Sequence, residues 1–580
     1  VDVRIDIADP AAFFPRGEIV VASNIRDKDL IKMVPGTRYH RESQTWRAPL
    51  QWPSCHAFRG IFRENLVIGP ALAAWAEQHV IEWVNPVKEI LAQTDYAGDS
   101  AQRDFQRVGT AWLKTVGQGL LADEMRLGKT IQVVCALRDL YIDELQMQPS
   151  VAPTLIVCPN SVKRGWAREI EKWAPGLRVA VSTGGAAARR KIFKQLDEGE
   201  IDVLVINWEA LRLHSRLAGY GSIQLSEKEK ISGELNREWF AVVADEAHRS
   251  KEPRAKQTRA LWAASAQSHY RWALTGTPIA KNPGDLWSIL HFLNPDEWPG
   301  KSRYIDRYCM QTFNPFGGLQ ITGLNPANEA ELRKTLDLRM LRRTQIETGL
   351  DTPTVYERRD VELSAKERKA YNQMRDELVA ELENGDQVVG WNPLTKMTRL
   401  LQMASATLSA DDEGNVSLID PSSKLDVLMD TLDDIPDEPI VIVSSSRKLL
   451  TLAEARLTKA KIPFGSIHGG VTGEARTAFM DAFQAGDLRL MLLQSKAGGE
   501  GITLNRSSIM IFLNRPVSMI EEQQVAARIA GFGQTAHTLL YIDLVTVDTA
   551  EEKIFAILAE RKESLEEVVR DKDRIRSLLS

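Results

Sequence analysis

Cysteine is scarce in this chain. There are four in 580 residues (Cys55, Cys135, Cys158 and Cys309), and no CxxC pair. Such spacing offers no ligand set for a structural zinc and gives no disulfide framework, as expected of a protein in a reducing, intracellular setting. No run of about 18 uncharged apolar residues occurs, so no membrane span is expected. The first residues, VDVRIDIADP, are mixed and acidic and do not read as a secretory signal. Positive charge is not in excess either: 73 Lys and Arg stand against 78 Asp and Glu, a net charge of −5. A uniformly basic surface is excluded, so any nucleic acid must be held by a local groove. Internal repeats, low-complexity tracts and nuclease constellations are also missing.

What is there is the composition of a globular protein, 43% hydrophobic and 26% charged. A chain of this length needs several cores, and three or four domains are expected. Residues 1–98 mix short β-like runs (VDVRIDI, EIVVASNI, ENLVIG) with the helix-like ALAAWAEQHVIEWV, an α+β accessory domain. Across 99–345, apolar runs of four to six residues (TLIVCP, RVAVS, DVLVINW, FAVVAD, RWALTG) alternate with amphipathic helical stretches. Strands buried on both faces of a parallel sheet read this way. A charged segment, 346–420, is predicted as a helical connector. A second series fills 421–580 (IVIVSSS, PFGSIHG, LRLMLLQ, IMIFLN, LLYIDLV) and ends in a charged helical tail. The expected fold class is α/β, with two tandem parallel-sheet units.

Chemistry concentrates in a few places. LLADEMRLGKTIQ ends a strand and starts a helix, whose N-terminal amides and dipole suit a phosphate. There Gly128 lets the backbone approach, Lys129 neutralises outer phosphates and Thr130 offers a hydroxyl to Mg2+. FAVVADEAH places Asp245 where it can hold Mg2+ through water, and Glu246 where it can orient or deprotonate the attacking water. RWALTGTPI and LLQSKAGGEGITL are taken alone as turns beside strands.

Together these stretches resemble the Swi/Snf-type ATPases of helicase superfamily two, over about 103–560. RDFQRVGTAWL is similar to the family's adenine-reading glutamine motif, and DEMRLGKT to its phosphate loop. TLIVCPNSVKRGWAREIEKW, DEAHRSKEPRAKQTRAL, LTGTPIAKNPGDLWSILHFL and LRMLRRTQ follow in order, then SIHGGVTGEARTAFMDAF, LLQSKAGGEGITL and QQVAARIAGFGQ. The resemblance implies two RecA-like lobes with ATP and Mg2+ in the cleft between them. It implies nucleotide contacts from Arg103, Gln106, Asp123, Glu124, Met125, Arg126, Leu127, Gly128, Lys129, Thr130, Gly501 and Gln524, with Arg528 as the arginine finger. For DNA, duplex or branched, it points to Asn160, Ser161, Lys163, Arg249, Lys251, Thr275, Ser444, Ser445, Ser495 and Lys496, touching phosphates without reading sequence. Residues 31–62 resemble the recognition hairpin of the annealing-helicase (HARP) branch, in a compact form of phage or bacterial kind. Trp46 there offers a stacking face; packing on the first lobe is the competing reading.

Two departures stand out. Arg126 replaces a glycine, which is costly if its φ is positive. Ala530 and Gly531 replace the family's histidine and second arginine. The expected activity is a DNA-dependent ATPase that translocates on DNA, as a monomer and with a role in repair or recombination. A DNA clamp with weak hydrolysis and a strand-separating helicase are the alternatives.

Overall fold

The computed structural model describes residues 3–8, 17–147, 152–231, 233–278, 283–313, 319–384, 399–410, 416–471, 473–498, 502–516, 519–530, 533–552 and 555. These form two compact units that divide between Thr344 and Gln345.

The first unit carries a seven-stranded parallel sheet in the order Met340–Leu341, Gln118–Leu121, Ser268–Leu274, Trp239–Asp245, Thr154–Cys158, Val203–Asn207, Val179–Val181. Its central strand residues are mostly apolar because helices cover both faces, giving one hydrophobic cluster on each side. The pairing registers Leu121 with Leu274 and Leu274 with Asp245. The loops after these three strands therefore leave from one level of the same edge.

The N-terminal segment adds a five-stranded sheet: Arg38–His40, Thr45–Pro49, Glu18–Ala22, Val3–Ile7 and Leu66–Ile68. It has its own small core around Ile5, Ile19, Val21 and Phe58. The turn Val34–Thr37 is buried. Arg303 donates to Thr37 O at 2.6 Å, and a Cβ at Gly36 would lie 2.9 Å from Pro299 Cγ. This turn of the expected recognition hairpin thus packs on the first lobe. Tyr39 remains 49% exposed at the sheet edge, ring-to-edge with Trp46 at 5.3 Å. The helix Asn85–Leu91, assigned by sequence to the accessory segment, buries Val87 and Ile90 in the lobe core.

The second unit holds a six-stranded parallel sheet, ordered Thr354–Val361, Leu539–Thr546, Ile509–Asn514, Ile440–Ser444, Leu490–Gln494, Phe464–Ile467. The segment 346–420 is thus more than a helical connector. It supplies the edge strand Thr354–Val361, the helix Ala365–Asn384 and an antiparallel hairpin, Thr407–Ala410 with Val416–Ile419. Its strand reads TVYERRDV, and the charges sit on an edge where one side meets water. The charged C-terminal tail, beyond 555, lies outside the described residues, as do Gly501 and Gly531. No helix among the described residues is long and apolar enough to cross a membrane.

Candidate active site

The strand Gln118–Leu121 runs into the loop 122–128 and then the helix Lys129–Met147. Gly128 has φ +75°, and a Cβ there would meet Gln106 Nε2 at 2.4 Å. Glycine is required on both counts. Arg126 also lies in the left-handed region, at φ 66°. The loop therefore keeps the conformation that favours glycine and tolerates arginine at about 1–2 kcal/mol of backbone strain. Lys129 donates to the carbonyls of Asp123 at 2.7 Å and Glu124 at 3.1 Å, curling back into its own loop. Burial holds its amine below the usual lysine range, opposed by Glu246, Asp123 and Asp245.

Asp245 and Glu246 lie at the end of the strand Trp239–Asp245. Both oxygens of Asp245 are oriented: Oδ2 accepts from Trp166 Nε1 and Oδ1 from the Glu246 amide, each at 2.9 Å. Burial, then the Glu246 charge, pushes the Asp245 carboxyl up to about 7. Glu246 has φ 51° and ψ 50°, a left-handed turn that carries it past the strand end. His248 Nδ1 lies 3.3 Å from Glu246 Oε2 and 3.2 Å from Thr275 Oγ1, and Thr275 Oγ1 also accepts from the Thr277 amide at 3.1 Å. Thr275 is thereby joined to His248, two residues after Glu246 in the same turn.

Three residues that sequence reasoning did not single out stabilise this floor. Arg343 forks onto the fully buried Asp123, with Nε at 2.9 Å from Oδ1 and Nη2 at 2.5 Å from Oδ2. Gln132 donates to Asp123 Oδ2 at 3.1 Å and accepts from Arg343 Nη2 at 2.8 Å. Trp166 is the third. Asp123 is therefore the buried charge that fixes the loop, and its carboxylate is closed off from solvent. Gln106, the expected adenine reader, is buried and donates to Leu127 O at 3.1 Å. Arg103 is exposed beside it, Leu127 is buried, and Met125 lies across Gly276, where a Cβ would sit 3.1 Å from Met125 Cγ. Thr130 and Glu124 are partly buried in the same loop.

In the second unit, Arg528 follows the helix Met519–Ala526, and its Nη1 donates to Ile502 O at 3.2 Å. Gln524 is buried on that helix, and Ala530 packs against the core. Arg515, the other arginine near this motif, is committed to Asp543 at 2.7 Å and to Glu522.

The expected DNA contacts divide. Asn160, Ser161, Ser445 and Lys496 are exposed, and Arg249, Lys251 and Trp46 are partly so. Four side chains are instead committed inside their lobes. Lys163 is 6% exposed and donates to Ser182 O at 2.7 Å. Thr275 serves the His248 link. Ser444 donates to Asn514 Oδ1 at 2.9 Å, and Ser495 donates to Glu521. Thr275, Ser444 and Ser495 stand at the ends of buried strands, where short polar side chains satisfy neighbouring loops. Among the described residues no cluster of three or more His, Cys, Asp or Glu is placed to hold a metal.

A glycine-bearing loop, a lysine at a helix N-terminus and an acid pair on one edge of a parallel sheet define a phosphate-loop nucleotide-binding protein. The SNF2-related domain matches residues 76–407, and the helicase conserved C-terminal domain matches 423–533. The chain belongs to the SNF2-related family, the Swi/Snf-type ATPases of helicase superfamily two. It is 27% identical over 508 residues to Protein CHROMATIN REMODELING 5 of Arabidopsis thaliana, covering 83% of this chain and 28% of that protein. It is 25% identical over 487 residues to the uncharacterized ATP-dependent helicase MG018 of Mycoplasma genitalium, covering 82% of this chain and 43% of that one. The chain thus spans less than half the length of these relatives. The solved Sulfolobus solfataricus SWI2/SNF2 ATPase core in complex with dsDNA is 24% identical, covering 84% of this chain and 97% of that one, with a TM-score of 0.38. A superposition that poor adds nothing to the sequence match.

Proposed function

We propose that this protein hydrolyses ATP and uses the cycle to move along duplex or branched DNA. The observation that carries the reading is the convergence of Lys129, Asp245 and Glu246 on one sheet edge, with Glu246 turned out of line by its left-handed backbone. Lys129 gives up its two carbonyl partners to take the outer phosphates. Glu246, in the turn that His248 holds to Thr275, orients the attacking water. Mg2+ suits the site: Asp245 and Glu246, two adjacent acids, stand at the strand end with Lys129 as the cation set against them. Thr130 and Asp245, the latter through water, would hold the ion, which would neutralise the charge that develops on the phosphates. The family resemblance assigns the arginine finger to Arg528. DNA runs over Asn160, Ser161, Arg249 and Lys251 of the first lobe and Ser445 and Lys496 of the second. Tyr39 and Trp46 at the accessory sheet edge stack on bases at a fork.

Phosphate release with and without duplex DNA tests this. Lys129→Ala and Glu246→Gln should abolish turnover, the latter while ATP still binds. Arg528→Ala should lose turnover and keep nucleotide. A rate that ignores DNA favours the second reading, a DNA clamp with feeble hydrolysis, for which Gly531 in place of the family arginine is the motive. Triplex displacement without duplex unwinding separates translocation from strand separation.

A further inference from the structure

The strand Met340–Leu341 pairs with Leu120–Leu121, so Arg342 and Arg343 leave the sheet alongside the phosphate loop. Their fates differ. Arg343 is consumed by Asp123. Arg342 turns the other way and donates from one nitrogen, Nη1, to Ala122 O at 3.4 Å and Gly276 O at 3.2 Å. A guanidinium nitrogen carries two N–H groups, one for each carbonyl. Ala122 opens the phosphate loop; Gly276 lies between Thr275 and Thr277, and Thr275 bonds His248 in the turn that starts at Glu246. Among the described residues no carboxylate lies within ion-pair distance of Arg342. This partly buried cation therefore rests on neutral acceptors at 3.2 and 3.4 Å, with the charges of Glu124 and Asp123 acting on it only beyond contact. A buried charge so weakly satisfied is unfavourable on stability grounds alone. Long hydrogen bonds of this kind tighten when substrate closes the site.

Resting on the ATPase reading above, we infer that Arg342 is a positioning residue: it ties the phosphate loop to the Thr275–His248 link, so that filling the loop sets the place of Glu246. Arg342 does not bind nucleotide itself in this account. Its loss must spare ground-state affinity and harm the reacting geometry.

The test uses the full chain. Arg342→Met should bind fluorescent ADP within about threefold of the unaltered protein, bind ADP with aluminium fluoride about tenfold or more weakly, and lose kcat in parallel with KM held. Arg342→Lys, which can still donate to both carbonyls, should recover part of the analogue affinity. Because both residues serve one link, Arg342→Met combined with Thr275→Val should cost less than the product of the single losses. Thermal unfolding identifies variants that fail to fold, and Arg342→Lys then carries the comparison. Equal losses for ADP and the analogue, or strictly multiplicative losses in the double variant, overturn the inference. An unaltered chain that binds no ADP overturns the ATPase reading and this inference together. One that binds normally, with Arg342→Met still holding the analogue tightly, overturns the inference alone.

Discussion

Gly128 and Asp245 show how local chemistry is fixed by single positions. Gly128→Ala places a methyl against Gln106 Nε2 on a left-handed backbone. It should cost about 1–3 kcal/mol, seen as a lower denaturant midpoint. Asp245 holds its proton up to about pH 7 in the fold, while an unfolded aspartate releases it near 3.8. The folded state binds more protons in that window, so this group's contribution to stability falls as pH rises through it. Without ATP or Mg2+, Asp245→Asn should therefore raise the melting temperature at pH 8 and change it little near pH 4. A gain independent of pH contradicts the assignment. The lysine and the acid pair were legible because each sits in a short motif beside an apolar strand. Trp166, Gln132 and Arg343 were not. Their partners lie far along the chain, and nothing local distinguishes Arg343 from its neighbour Arg342.

At the scale of elements, apolar runs of four to six residues announced nearly every strand of both parallel sheets, because burial on both faces leaves only one kind of sequence. The edge strand Thr354–Val361 escaped notice since four consecutive charged residues, Glu357 to Asp360, interrupt any apolar run. The short strand Met340–Leu341 escaped because two residues carry no period. Yet that strand delivers Arg343 to Asp123. Arg343→Ala leaves a fully buried carboxylate without its guanidinium and should cost about 3–5 kcal/mol in urea unfolding. Removing both partners, Arg343→Met with Asp123→Leu, should cost less than the single change. The helix Asn85–Leu91 is a second case. Val84, Val87 and Ile90 fill the first lobe's core, each contributing about 1.5–3 kcal/mol. Deleting residues 1–98 should therefore unfold the lobe rather than leave a basal ATPase. Fork preference is better probed with Tyr39→Ala and Trp46→Ala, which should lower it and leave duplex stimulation in place. Equal preference for forks in both variants rejects a stacking role for this edge.

For the molecule as a whole, a net charge of −5 fits a protein that meets nucleic acid along a restricted path. Counterion release then governs affinity: stimulation by DNA should fall steeply between about 50 and 200 mM salt, while basal turnover stays flat. The order of motifs revealed two lobes and the kind of chemistry; the hairpin pattern was less informative, since the same turn that resembles a recognition element is packed on Pro299 and Arg303. Phosphate release by the full chain, measured at low salt with and without duplex DNA and beside Glu246→Gln, tests the central claim most directly. The account predicts turnover that rises with DNA in the unaltered protein and vanishes in the variant even though ATP remains bound. Turnover that is indifferent to DNA, or that survives Glu246→Gln, contradicts it.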